Sequence, residues 1–156
     1  MQQNDRAVND LPVAIVGICL IVLAVELMLT AATAGLLGGA GGVGWRLEFV
    51  QQYSFVPAVI DVMRQGQFDF EVMRRLITYA FIHDSMFHML FAGALLLALG
   101  KFVGDIFSPL STVLLFVVST VFGALIYGTI VSTNYPLLGL YPAVYGFIGA
   151  YTYIVW

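Results

Sequence analysis

The feature that most constrains this sequence is a long C-terminal stretch without any charged side chain. No Asp, Glu, Lys or Arg occurs from Ile106 to Trp156, and only 10% of the chain is charged while 61% is hydrophobic. A soluble domain carries roughly a quarter charged residues, because its surface faces water. So long an uncharged run therefore predicts helices embedded in a lipid bilayer rather than a soluble globule.

Four hydrophobic runs are predicted to cross the membrane, after a polar N-terminal segment at residues 1–10. The runs cover about residues 12–37, 86–103, 110–131 and 137–156. Three of the runs reach or exceed the length of about 20 residues that a helix needs to cross the hydrocarbon core, and the second is slightly shorter. We therefore expect an all-α, polytopic transmembrane bundle whose membrane domain covers residues 11–156. Because the sequence stops at the edge of the fourth run, we also expect the natural protein to continue beyond Trp156.

Residues 38–75 form a connection of mixed character between the first two predicted spans. It begins within a glycine-rich stretch that should end the first helix. Aromatic residues such as Trp45 and Phe49 alternate there with charged residues such as Arg46. This mixture is too charged to span the membrane and is typical of a segment at headgroup level. The apolar residues within 59–63 predict a short amphipathic helix in this interfacial loop.

Composition excludes several classes of function. The net charge is −3 and no basic patch is present, so the chain has no electrostatic footprint for nucleic acid. The single cysteine, Cys19, rules out an intrachain disulfide and a Cys-based zinc site. The two histidines, His83 and His88, are five residues apart rather than the four that place two ligands on one helix face. No metal site and no cofactor are predicted.

Two sequence blocks contain residues typical of a known membrane family. The first block holds the set Arg75, Thr78, Phe81, His83, His88 and Gly100. In this order and spacing it resembles the rhomboid family of intramembrane serine proteases, at the entry to and along the second transmembrane helix. Gly100 falls where the family has a helix-ending glycine. Ala92 stands where the family has an asparagine.

The second block begins at Gly139 and runs to Ala150. It resembles the start of the family's fourth helix, which reads Gly-x-Ser-Gly followed by small, aliphatic and aromatic residues. Gly139 matches the first glycine, but Tyr141 stands at the nucleophilic serine and Pro142 at the second glycine. The resemblance covers about residues 74–150 and implies a rhomboid-like fold.

The resemblance also implies which parts of the proteolytic site are missing. The phenol of Tyr141 is displaced by a ring from where a seryl oxygen would lie, and Pro142 has no backbone N–H. His88 is retained among the expected oxyanion donors, whereas Ala92 offers no donor. Losing one donor of this kind costs about 10²–10³ in rate, and losing the nucleophile of a dissected serine protease costs about 10⁶. The family's sixth-helix histidine base is not in this chain. We therefore expect a catalytically inactive pseudoprotease without catalytic residues.

The same two substitutions have a structural interpretation. Proline is tolerated in the first turn of a helix, so Pro142 is suited to begin the fourth helix. We hypothesise that Tyr141 fills the cavity where a substrate would bend and water would enter. An open, hydrated cavity around Tyr141 would contradict this hypothesis.

Candidates for partner contacts lie on the first and fourth predicted spans. Glu26 sits near the middle of the first span, where an acid costs roughly 2.5–3.5 kcal/mol on insertion scales. It either contacts a partner helix or a neighbour within the bundle, or it is protonated or snorkels without a role. Gly146 and Ala150 form a small-xxx-small pair suited to helix packing.

Two functions from different classes remain open. The first is a non-catalytic rhomboid-like protein that binds transmembrane helices of other proteins, as a client-binding pseudoprotease or an accessory subunit of a larger membrane complex. The alternative is a rhomboid-type intramembrane serine-type endopeptidase with an unorthodox site. Either is a multi-pass integral membrane protein in contact with the lipid bilayer, in the inner or plasma membrane if the source is bacterial.

Overall fold

The computed structural model describes residues 10–156, and those residues form helices joined by short connections. The predicted polar segment at residues 1–10 lies almost wholly outside the described residues. The helices, in chain order, are α1 (Val13–Thr33), α2 (Gly39–Gly42), α3 (Trp45–Tyr53), α4 (Ala58–Arg64), α5 (Phe70–Thr78), α6 (Met86–Ile106), α7 (Pro109–Ile130) and α8 (Tyr141–Val155). A single 3₁₀ turn, Tyr79–Phe81, joins α5 to the segment before α6. This all-helical architecture is the one that the sequence predicts.

Three of the described helices, α1, α6 and α7, are long and apolar enough to cross a membrane. The first and second spans differ from prediction at their C-terminal ends. Helix α1 ends at Thr33 rather than near residue 37, because Gly35 takes a positive φ of 74° that a helix does not accommodate. Helix α6 continues beyond residue 103 to Ile106, and the side chains of Lys101 and Asp105 pair along it.

The predicted fourth span is shorter than the sequence suggests. Helix α8 has 15 residues and begins at Tyr141, not at residue 137. Its length is only about 22 Å at the helical rise of 1.5 Å per residue. Gly139, with φ of 84°, and Pro142, in the first helical turn, keep the helix from extending back toward residue 137. An extended connection therefore precedes α8.

Side-chain caps fix where two of the long helices begin. Ser85 accepts a hydrogen bond from the backbone N–H of His88 at 3.3 Å, at the start of α6. Ser108 accepts one from Ser111 N–H at 3.2 Å, with Pro109 in the first turn of α7. Such caps satisfy backbone donors that have no intrahelical acceptor. The starts of α6 and α7 are thus encoded locally.

The long helices pack closely where one of them carries a glycine. A Cβ added at Gly100 of α6 would lie 2.6 Å from Cδ1 of Ile15 in α1, so only a glycine allows this approach. Gly100 was expected to end its helix, but α6 runs six residues further. Its role in this fold is instead close packing between two spanning helices.

The connection between α1 and α6 forms four short helices, α2 to α5, rather than an irregular loop. The amphipathic helix predicted near residues 59–63 is α4, whose apolar residues Val59 and Ile60 are buried. This region also contacts the connection before α8, because Phe55 and Leu137 exchange backbone hydrogen bonds in an isolated antiparallel bridge. Backbone groups in a lipid environment need such internal partners.

Candidate functional site

The two histidines lie against each other at the start of α6. His83 precedes the helix, His88 lies in its first turn, and the two ring centroids are 5.1 Å apart in an edge-to-face arrangement. The Nδ1 atom of His88 is 2.8 Å from Oδ1 of Asp84. His83 is fully buried. Both of its ring nitrogens and Nε2 of His88 are buried without a hydrogen-bond partner within residues 10–156.

The local surroundings set the charge of His83 and of Asp84, the residue that follows it. Burial lowers the pKa of His83 to about 4; the charges of His88 and Arg46 act in the same direction and that of Asp84 opposes them. His83 is therefore neutral near pH 7. Partial burial alone would raise the pKa of Asp84, but hydrogen bonding and charge from His88, together with the Ser85 hydroxyl, lower it. Asp84 is thus an ionised acceptor that orients the ring of His88.

Tyr141, at the start of α8, covers the ring of His88. The two ring centroids are 5.3 Å apart and their planes differ by 21°, a stacked geometry. Gly139 brings α8 this close: a Cβ added there would lie 2.9 Å from Nε2 of His88 and 3.0 Å from Cδ2 of His83. The structure therefore brings together the histidines of the first sequence block and the Gly139–Pro142 turn of the second.

A mainly apolar groove of about 780 Å³ opens beside this cluster, between α7 and α8. Its walls include His88, Phe122, Ile126, Tyr141 and Tyr145. Tyr141 was hypothesised to fill the cavity at this position, but it forms one wall and leaves the groove open. The reason is its orientation, since a ring stacked on His88 occupies the α6 side and not the space between α7 and α8.

The two other substituted positions are both part of the packed structure. Ala92 is fully buried one helical turn after His88, where its methyl group offers no hydrogen-bond donor. Pro142 lies in the first turn of α8, where its missing N–H leaves no helical bond unmade. A Cβ added at Gly123 of α7 would overlap the Pro142 ring, so the proline is a packing contact between α7 and α8.

Arg75 and Thr78 belong to the same sequence block as the histidines. Their side chains, however, form hydrogen bonds with the C-terminal end of the interfacial helix α3. The guanidinium of Arg75 donates to the carbonyl oxygens of Ser54 at 3.0 Å and Gln51 at 2.9 Å. The Thr78 hydroxyl donates to the carbonyl oxygen of Tyr53 at 2.8 Å. These motif residues hold the C-terminal end of α3 and do not enter the histidine cluster.

Glu26 is fully buried and has its partners inside this chain. Its Oε1 lies 2.7 Å from Nη2 of Arg46 in α3, and the Thr30 hydroxyl donates to the same oxygen at 3.1 Å. The sequence left open whether Glu26 contacts a partner helix, contacts a neighbour within the bundle or has no role. In this structure it contacts a neighbour within the bundle. The Glu26 carboxylate has no exposed surface here, and its contact with a helix of another protein stays a prediction.

Arg46 is the residue that sequence reasoning missed at this site. Besides Glu26, it donates from Nη1 to the carbonyl oxygen of His83 at 2.7 Å. The signal was available, because a buried acid in a spanning helix needs a counter-charge. Arg46 follows Trp45 in the interfacial segment, but nothing in the sequence indicated which of the four arginines of that segment would reach α1.

Gly146 and Ala150 also have contacts within the bundle. A Cβ added at Gly146 would overlap the Oγ atom of Ser119 in α7, so the glycine is already used for internal packing. Ala150 is half-buried against the core. Within residues 10–156, no group of three or more His, Cys, Asp or Glu side chains is placed to hold a metal ion.

Comparison with known proteins identifies one family. A family model described as the Rhomboid domain matches residues 71–156, which is more than half of the chain. The match includes the histidine pair, Ala92 and the turn at Tyr141. No curated protein and no solved structure matches the chain.

Proposed function

This chain belongs to the rhomboid family, and from that premise we propose that it is a non-catalytic member that binds transmembrane helices of other proteins. It acts either as a client-binding pseudoprotease or as an accessory subunit of a larger membrane complex. The family match and the three apolar helices make it a multi-pass integral membrane protein. The family's proteolytic activity is the alternative against which the proposal is tested.

The observation that carries the proposal is the stacking of Tyr141 on His88. A serine nucleophile requires its oxygen within hydrogen-bond reach of a base and of oxyanion donors. Here the nucleophile position holds a phenol ring that lies flat on His88, 5.3 Å between centroids. The neighbouring Pro142 has no N–H, and Ala92 has no side-chain donor. Three elements of a proteolytic site are thus replaced in one place.

The groove between α7 and α8 supports the binding part of the proposal. It is mainly apolar and contains the hydroxyl-bearing side chains of Ser119, Tyr141 and Tyr145 among its lining residues. Helices associate within a bilayer through close packing and interhelical hydrogen bonds, since lipid tails remove the hydrophobic driving force. An apolar groove with a few hydroxyl groups suits a transmembrane helix better than it suits a soluble ligand.

Catalysis is tested with the purified full chain in liposomes that also contain single-span model substrates. We expect no cleavage and no labelling by a fluorophosphonate probe for activated serines, and Tyr141→Phe should behave identically. Cleavage by the wild type that Tyr141→Phe abolishes would show that the phenol takes part in catalysis and would overturn the proposal.

Binding is tested by photo-crosslinking in the native membrane with p-benzoylphenylalanine at Phe122, which lines the groove. The matched control places the same group at Phe91 of α6, which is 69% exposed, compared with 59% for Phe122, and is not among the groove's lining residues. We expect stoichiometric adducts with the transmembrane segment of an identified protein from position 122 and only lipid adducts from position 91. Lipid adducts alone from both positions would contradict a helix-binding groove.

A further inference from the structure

We propose that Arg46 is a positioning residue for the histidine pair, held in place by the buried carboxylate of Glu26. The inference rests on the proposed function in one respect, since His88 of this pair lines the groove assigned to a partner helix. The positioning itself is a property of the chain alone. Its test therefore needs neither a partner nor an activity.

The guanidinium of Arg46 joins three parts of the fold that are far apart in sequence. Nη2 donates to Oε1 of Glu26 at 2.7 Å and to the hydroxyl of Thr30 at 3.1 Å, both in α1. Nη1 donates to Oε2 of Glu26 at 3.2 Å and to the backbone carbonyl oxygen of His83 at 2.7 Å. The planar fork of arginine allows one side chain to make these bonds together.

His83 has few other polar interactions that would hold it. Its ring nitrogens are buried without a hydrogen-bond partner in the described part of the chain, and its peptide follows a short 3₁₀ turn. Its ring touches the ring of His88 and the backbone at Gly139. A shift of the His83 backbone would therefore move both histidines relative to the start of α8. The bond from Arg46 is the directional contact that opposes such a shift.

If Arg46 and Glu26 only stabilised the fold, their contact with each other would be sufficient, and the hydrogen bond from Arg46 to His83 would have no role. Replacing a buried ion pair by apolar residues of similar volume is often neutral or stabilising. Such a replacement removes the donor to His83 without leaving an unpaired charge. Stability and positioning can thus be separated by substituting both members of the pair at once.

The experiment uses the full chain in detergent micelles, labelled with ¹³C at the histidine carbonyl. The chain has two histidines, so the carbonyl spectrum contains two signals, which a His88→Asn variant assigns. In the Glu26→Leu/Arg46→Met variant we expect the His83 carbonyl signal to shift and broaden. The matched control is Asp61→Leu/Arg64→Met, which removes an exposed pair on α4 and should leave both signals unchanged.

Arg46→Lys provides a second variant that keeps the positive charge if the double variant does not fold. A single ammonium group on a shorter side chain cannot donate to Glu26 and to His83 as the fork does, so the His83 carbonyl signal should again shift. An unchanged His83 signal in either folded variant overturns the inference. The two proposals can fail independently. An unchanged His83 signal would contradict only the positioning by Arg46, and an absence of crosslinks from Phe122 would contradict only the binding of a partner helix in the groove.

Discussion

Tyr141 and His88 stack with their ring centroids 5.3 Å apart, and through this contact the start of α8 lies on the start of α6. The two rings lie at the positions that the sequence resemblance assigns to the family's nucleophile and to one of its oxyanion donors. The geometry of the contact explains why a tyrosine is accommodated there, since a flat ring covers the imidazole and leaves the α7–α8 groove open.

Removing the stacked ring should destabilise the protein. Tyr141→Ala is expected to lower the free energy of unfolding by about 1–3 kcal/mol, since the apolar burial and the aromatic contact are both lost. Tyr141→Phe keeps the ring and should change it by less than about 0.5 kcal/mol. Unfolding in mixed micelles titrated with a denaturing detergent measures both. Equal losses in the two variants would mean that the hydroxyl group, not the stacking, carries the effect.

Gly146 should not tolerate even one additional methyl group. In Gly146→Ala the new Cβ would overlap Ser119, and overpacking of this kind costs about 1–3 kcal/mol. Gly149→Ala is the matched control on the same helix, because a Cβ there meets no atom within 4 Å. The control should be neutral or slightly stabilising, since alanine favours helix more than glycine does.

The same unfolding measurement checks this pair of glycine variants. Adding Ser119→Gly to Gly146→Ala should restore part of the lost stability, because it removes the overlapping side chain. If Gly146→Ala and Gly149→Ala changed the free energy of unfolding equally, the close approach of α7 and α8 at Gly146 would be contradicted.

Acid should destabilise the protein through His83. Burial lowers the pKa of this side chain from 6.5 to about 4, so the folded state binds a proton less readily than the unfolded state. The resulting stability is fully present above pH 6.5 and is lost as the pH falls toward 4. Between pH 7.5 and pH 5 the loss should be about 2 kcal/mol, with the slope approaching 1.36 kcal/mol per pH unit below pH 6.5.

The pH dependence is measured as the free energy of unfolding between pH 7.5 and pH 5. This window excludes Asp84, whose pKa is lowered from 3.8 and whose stability contribution is lost only in stronger acid. His83→Asn should have a lower stability at pH 7.5 and a flatter profile. A profile as steep as that of the wild type would assign the titration to another group.

Arg75 should control the order of the interfacial helix α3. Arg75→Ala removes two hydrogen bonds to the carbonyl oxygens of Gln51 and Ser54, each worth about 1.5–3 kcal/mol for a charged donor. Hydrogen exchange of the amides in residues 49–56 should accelerate by at least about tenfold, since 1.4 kcal/mol corresponds to a factor of ten. Arg64→Ala is the control, because its pair with Asp61 is exposed and such pairs contribute about 0–1 kcal/mol.

The sequence by itself determined the membrane class and the helical architecture. Charge-free runs in a bilayer leave the backbone no water to bind, so they must form helices. Helix caps such as Ser85 and Ser108 bond to the backbone N–H three residues later, so the start of each helix can be predicted from a short stretch of sequence. The spacing of His83 and His88, and the run from Gly139 to Ala150, were sufficient to indicate the rhomboid family, which the match to residues 71–156 confirms.

Only the tertiary structure decided which distant side chains meet. Glu26 could be recognised as a costly buried acid, but its pairing with Arg46 depends on the glycine-containing turn that folds α3 back on α1. The stacking of Tyr141 on His88 likewise depends on how α8 starts against α6. Contacts of this kind arise from the packing of helices that are far apart in the chain, and no local pattern of residues specifies them.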